Sequence, residues 1–141
     1  MATTPADVYR YRAAGFTDEV VTCEACGRDE LKGTVRLEVV DAEGAPDGGE
    51  LFAGVSCAAR LQGTTAAVVR AEVRAAADAA RAAWEAWRAE AHAVEMRAGD
   101  AALARLGLER SFSTLKVVWE DPVYRAEVAA WRAAHPQPPR P

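Results

Sequence analysis

Residues 23–57 read CEACGRDELKGTVRLEVVDAEGAPDGGELFAGVSC, and the order of signals along this stretch decides the fold. It opens on Cys23-Glu24-Ala25-Cys26-Gly27, two cysteines two residues apart with a glycine directly behind them. Such spacing suits a tight turn whose amides can point at sulfur, and Gly27 is free to take positive φ there. Thr34-Val35-Arg36-Leu37-Glu38-Val39 then alternates polar and apolar residues, the period of a half-buried strand. Asp41–Gly49, DAEGAPDGG, is turn chemistry throughout. Leu51–Val55 reads as the returning strand of a hairpin. Ser56 or a neighbour then caps a short helix that begins at Cys57 and stops at Gly63.

Knuckle, hairpin, then a cysteine in the first turn of a helix is the order of a treble-clef zinc finger. Zinc takes four tetrahedral ligands and favours thiolates, and a helix N-terminus favours the anionic form of a thiol. Cys23, Cys26 and Cys57 are therefore the candidate metal ligands, and zinc the expected structural ion. The position three residues after Cys57, where a fourth cysteine would stand, is Arg60, which cannot ligate. Nearby oxygen donors are Asp18, Glu24, Asp29, Glu30 and Ser56. His92 is a better donor by type, but it lies about 40 Å along the following helix if that helix is straight. His135, near the C-terminal end, is the other imidazole. A relic site that binds metal weakly, a redox dithiol at Cys23 and Cys26, and a catalytic zinc are the alternatives. The redox reading needs the pair to open a helix, and Gly27-Arg28-Asp29 is poor helix material.

On these residues the chain resembles a group of small three-cysteine, zinc-finger-like proteins from high-GC bacteria and their phages. They similarly combine C-x-x-C-G, a hairpin and a single later Cys-Ala-Ala-Arg, here Cys57-Ala58-Ala59-Arg60. The resemblance covers residues 16–63 only. It implies that three cysteines is the pattern of the group. No activity is assigned to that group, so the resemblance supplies no substrate and no catalytic residue.

Before the cysteines, Thr4-Pro5 reads as a helix start and Gly15 as its stop. After Gly63 the composition changes. From Thr64 to Ala98, 15 of 35 residues are alanine, with no Gly or Pro, so a long helix is expected. Val69, Val73, Ala76, Ala80, Ala83 or Trp84, Trp87, Ala91, Val94 and Ala98 form one stripe along it. Such a stripe has to pack on the chain's own tail helices or on a second subunit. Gly99-Asp100 marks a break or kink, and Ala101–Leu106 a further short helix ended by Gly107. Between Ser111 and Glu120 a short helix capped by Ser113 is favoured over a strand at Leu115–Trp119. Asp121-Pro122 starts another helix, with Tyr124, Val128 and Trp131 on one face. The end, 135–141, is rich in proline and reads as extended.

The whole is thus expected to be α+β. A metal-clipped β-hairpin module with a short N-terminal helix occupies 1–63, a helical region 64–134, and a proline-rich tail 135–141.

The 141 residues carry a formal net charge of −4, with −5 in the first 60 and +1 in the rest. Neither part has the basic footprint of a dedicated DNA-binding domain. No uninterrupted apolar stretch is long enough for a membrane span, and Met1–Asp7 lacks the pattern of an export signal. No membrane partner and a cytoplasmic location are expected, where an odd number of cysteines also argues against a disulfide framework.

Arg70, Arg74, Arg81 and Arg88 share one face of the long helix with His92, a candidate phosphate-tracking ridge. Asp78 and Glu85 interleave with them, which favours a salt-bridged, solvated surface. Ser113-Thr-Leu-Lys116 spells an S-x-x-K acylation motif without its companions and is a chance match. His92 and Glu95 lie one turn apart and read as a solvated helix face. No nucleophile–base or carboxylate pair stands out, so an enzyme is the least favoured class. The expected function is a non-enzymatic zinc-binding adaptor whose helical region binds a protein partner or self-associates. A nucleic-acid-associated regulator using the arginine face is the alternative, and a redox dithiol protein a further one.

Overall fold

The computed structural model describes residues 10–141. The chain is α+β, a three-stranded antiparallel sheet followed by four helices. The strands are β1 (Arg10–Thr17), β2 (Thr34–Val40) and β3 (Pro46–Ala53), and the helices are α1 (Val55–Gln62), α2 (Ala66–Leu106), α3 (Phe112–Glu120) and α4 (Pro122–Ala134). Two compact units divide it, Met1–Ala79 and Ala80–Pro141.

In the first unit β2 is the central strand, paired with β1 on one side and β3 on the other. Its alternation sends Val35 and Leu37 into the core, 1% and 0% exposed, while Arg36 and Glu38 face outward. The outward face carries a cross-strand ladder of charges. Glu38 accepts from Arg12 at 2.8 Å, and Arg36 bridges Glu50 at 2.8 Å and Glu38 at 3.6 Å. The inward face packs Ala13, Val35, Leu37 and Ala53 against Ala58 and Ala59 of α1 and Val69 of α2. Thr34 is fully buried and satisfied, its hydroxyl donating to the Val20 carbonyl at 2.9 Å.

Strand β1 corrects the expectation of a helix from Thr4 to Gly15. Its Thr4-Pro5 start lies outside the described residues, and Arg10–Thr17 is extended. Tyr11 and Ala13 alternate with Arg10 and Arg12, a period of two, and the free edge of β2 gives them a ladder to join. Gly15 marks a register shift after Ala13 and no helix end.

The hairpin turn is shorter than its composition implies. The Asp41 carboxylate accepts from the amides of Glu43 and Ala45, closing the turn at Ala45. Pro46 already belongs to β3, which a proline can do because β3 is an edge strand. Helix α1 begins at Val55, two residues before Cys57, with Gly54 as N-cap and no side-chain cap from Ser56. Gly63, at φ 68°, ends it in the left-handed conformation.

Helix α2 runs 41 residues, through Gly99-Asp100 without the expected break, so Ala101–Leu106 is its last turns and no separate helix. Gly99 is buried beside Val118, and packing there replaces the propensity that glycine withholds. The stripe has the phase its sequence implies. Val69, Ala91, Val94 and Ala98 are buried, and Val73, Ala76, Ala80, Trp84 and Trp87 are half-buried, whereas Ala83 is exposed.

In the second unit Ala102 and Leu103 pack with Val118 of α3, flanked by Leu108 and Tyr124. Ser111, not Ser113, caps α3, in a reciprocal capping box with Thr114. Asp121 ends α3 and caps α4, its carboxylate accepting from the Tyr124 amide at 2.8 Å. Trp87 lies 5.8 Å from Trp84 and 5.9 Å from Trp131, and Trp131 stacks on His135 at 4.7 Å.

Candidate metal centre

The first unit brings together all three cysteines. The Sγ atoms of Cys23, Cys26 and Cys57 lie within 4.8 Å of one another, near enough for a single ion to touch each. Sulfur–metal bonds of about 2.3 Å in a tetrahedron place sulfurs a little under 4 Å apart, so the cluster has the dimensions of a site. The thiols are free, with Cys23 buried, Cys57 half-buried and Cys26 exposed.

Local backbone chemistry explains how each sulfur is placed. Cys23–Gly27 closes a tight turn, with the Gly27 amide donating to the Cys23 carbonyl at 2.7 Å and the Cys23 amide to the Arg28 carbonyl at 2.9 Å. Gly27 takes φ 74°, as its place behind the pair requires. The turn is tied to β3 by Glu24, whose amide donates to the Phe52 carbonyl at 2.8 Å and whose carboxylate accepts from the Phe52 amide at 2.7 Å. Cys57 is the third residue of α1.

The electrostatics of the thiols differ. Burial pushes the Cys23 thiol up, but amides of Gly54, Cys26 and Ala25 aimed at its sulfur outweigh that and bring it to about 7. Cys57 moves the other way, to about 11, through hydrogen bonding to Cys26 and Cys23, then burial, then their charge. Three thiolates cannot crowd together without a counter-charge, and a divalent cation is the species that supplies one.

The carboxylates near in sequence stay out of the cluster. Glu24 is committed to Phe52, and Asp29 accepts from the Thr22 hydroxyl at 2.6 Å. Neither Asp18 nor Glu30 joins the three sulfurs. Ser56 and Arg60 line the same cavity as the cysteines, a space of about 330 Å³ that also includes Arg28. The cavity was not foreseen from sequence, although Arg60 in place of a fourth cysteine was its visible trace. Both histidines belong to the second unit. His92 lines a cavity of about 230 Å³ with Glu95, Met96 and Tyr124, and His135 rests on Trp131.

The helix arginines have a different setting. Arg70, Arg74, Arg81 and Arg88 are all exposed on α2, and among the described residues none is ion-paired with Asp78 or Glu85. Arg70 and Arg74 border an apolar cavity of about 340 Å³ formed with Phe16, Val35, Val55 and Val73. Glu95 is no free ligand, since Arg132 holds it at 2.7 Å. Among the described residues, no helix is long and apolar enough to cross a membrane.

No protein-family model, no curated protein and no solved structure matches this chain.

Proposed function

We propose that the protein is a non-enzymatic, zinc-stapled adaptor. Its first unit is organised by an ion on Cys23, Cys26 and Cys57 in treble-clef order, and its helical region meets a protein partner or a second copy. The observation that carries the metal reading is the convergence of three sulfurs within 4.8 Å from two places in the chain, 31 residues apart. A module with a three-stranded sheet and one short helix has little core of its own, and an ion compensates for it. The thiolate set favours zinc over hard ions such as magnesium and calcium, which take oxygen donors. The adaptor reading is supported by the large apolar side chains on α3 and α4. Phe112 is 93% exposed, and Val117, Trp119 and Val123 are exposed too.

The test is metal stoichiometry by elemental analysis together with visible spectra of the cobalt-loaded chain. One ion per chain, with thiolate-to-cobalt charge transfer of three-sulfur intensity, is expected. A chain that purifies without metal and takes up no cobalt would overturn the reading. Sedimentation equilibrium, with and without Phe112→Ser, addresses the helical surface.

Nucleic-acid association through α2 is the second reading, favoured by the exposure of Arg70, Arg74, Arg81 and Arg88, none of which is ion-paired with Asp78 or Glu85 among the described residues. Binding that weakens steeply with salt is its signature, and no binding at low salt ends it.

A further inference from the structure

We propose that the fourth coordination position of this metal centre takes an exchangeable small carboxylate, held against the ion by Arg28 and Arg60. The inference rests on the metal reading above. Its geometric basis is the cavity of about 330 Å³ that the three cysteines share with both arginines. Tetrahedral zinc has four positions, and three thiolates fill three of them. No carboxylate or imidazole among the described residues joins the cluster, which leaves the last position open to a donor that enters the cavity from solvent.

Charge identifies that donor. Three thiolates around a divalent ion leave one net negative charge, which on its own repels an anion. Arg28 and Arg60 add two positive charges, and neither is in an ion pair among the described residues. The cavity and its ion together are then positive by one and are neutralised by a monoanion. A carboxylate fits, because one oxygen can bind the metal while the other accepts from a planar guanidinium. Binding exchanges solvent for the carboxylate oxygen. One metal–oxygen bond breaks, one forms, and nothing is oxidised or reduced.

The experiment is a titration of the cobalt-loaded full chain with acetate, followed in the ligand-field bands, beside Arg28→Ala and Arg60→Ala. Both arginines are exposed, so neither variant removes core packing. A saturable band shift with the charge-transfer bands retained is expected, at least about tenfold weaker in each variant for the loss of a charge-assisted hydrogen bond. Bands that ignore acetate, or that respond equally in wild type and both variants, overturn the carboxylate proposal and leave the three-thiolate centre standing. A chain that takes up no cobalt overturns the metal reading and this proposal together.

Discussion

The backbone amide of Gly54 donates to the sulfur of Cys23 at 3.3 Å, across 31 residues of sequence. Gly54 is also the N-cap of α1, the helix that carries Cys57 as its third residue. The residue that starts the helix of Cys57 thereby holds the sulfur of Cys23, and an ion placed among the cysteines would close the loop from knuckle through hairpin to helix. Cross-linking distant parts of a small chain in this way acts largely by restricting its unfolded state.

Removing the ion is therefore expected to loosen the first unit. At free zinc a hundredfold above the dissociation constant, binding contributes about 2.7 kcal/mol to the folded state. Strong chelator is expected to lower the melting temperature by several degrees, and Cys57→Ser to do the same without chelator while losing the metal. Calorimetry on both samples checks this. Identical melting curves with and without chelator would show that the ion holds nothing together.

Two glycines of the same unit should respond oppositely to a side chain. A Cβ on Gly33 would sit 2.5 Å from the Thr17 carbonyl oxygen and collide with the edge of the Phe16 ring, and a backbone oxygen cannot swing away. Gly33→Ala is expected to cost about 2 kcal/mol or more. At Gly54 the nearest atom to an added Cβ is Leu31 Cδ1 at 3.5 Å, ordinary contact, and the backbone at φ −58°, ψ 151° already has cap geometry. Gly54→Ser supplies the side-chain cap that α1 lacks, for a gain of a few tenths of a kcal/mol. Urea midpoints of the two variants should fall on opposite sides of wild type.

Asp121 gives the second unit an acid-sensitive joint. The Tyr124 amide, and after it the Arg105 guanidinium, hold its carboxyl below the usual carboxylate range. With the folded value below the unfolded one of about 3.9, the folded state binds fewer protons. The contribution is complete above that unfolded value and is lost as pH falls through the lower, folded one. Asp121→Asn keeps a capping oxygen but does not titrate. It is expected to flatten the acid limb of the melting temperature against pH, and an unchanged limb would place the sensitivity elsewhere.

Local chemistry and tertiary pairing divide what could be read in advance. The stripe of α2, strand β2, the Asp121-Pro122 helix start and the trio of cysteines each rest on residues adjacent in sequence or at fixed spacing, and all have their expected form. Strand β1 does not. Tyr11 and Ala13 are too few to outweigh a proline and a glycine at either end of the segment, and only the edge of β2 decides for extension. Gly99 misled for the mirror reason, because Val118, far along the chain, supplies the packing that carries α2 past it. At the candidate site the gathering of the three cysteines was legible from spacing. The cavity behind Arg28 and Arg60 was not, since it depends on how β3 delivers α1 to the knuckle.

The aromatic row of the second unit offers a sharper measurement than loss of stability alone. Trp131 lies between Trp87 and His135, and the Trp87 indole N–H donates to the His135 carbonyl at 2.9 Å, so ring contacts and a hydrogen bond tie the same three residues. Trp131→Ala removes both ring pairs and half-buried apolar area, an expected cost of about 2–3 kcal/mol. His135→Ala removes one stack but keeps the carbonyl, with an expected cost of about 1 kcal/mol. Because the histidine ring has nothing to stack on once Trp131 is gone, the double variant should cost less than the sum, by about 0.5 kcal/mol or more. Denaturation of all four proteins measures that coupling, and near-ultraviolet dichroism should lose intensity in Trp131→Ala. Strict additivity would mean that the ring of His135 is held by its backbone and not by the indole beneath it.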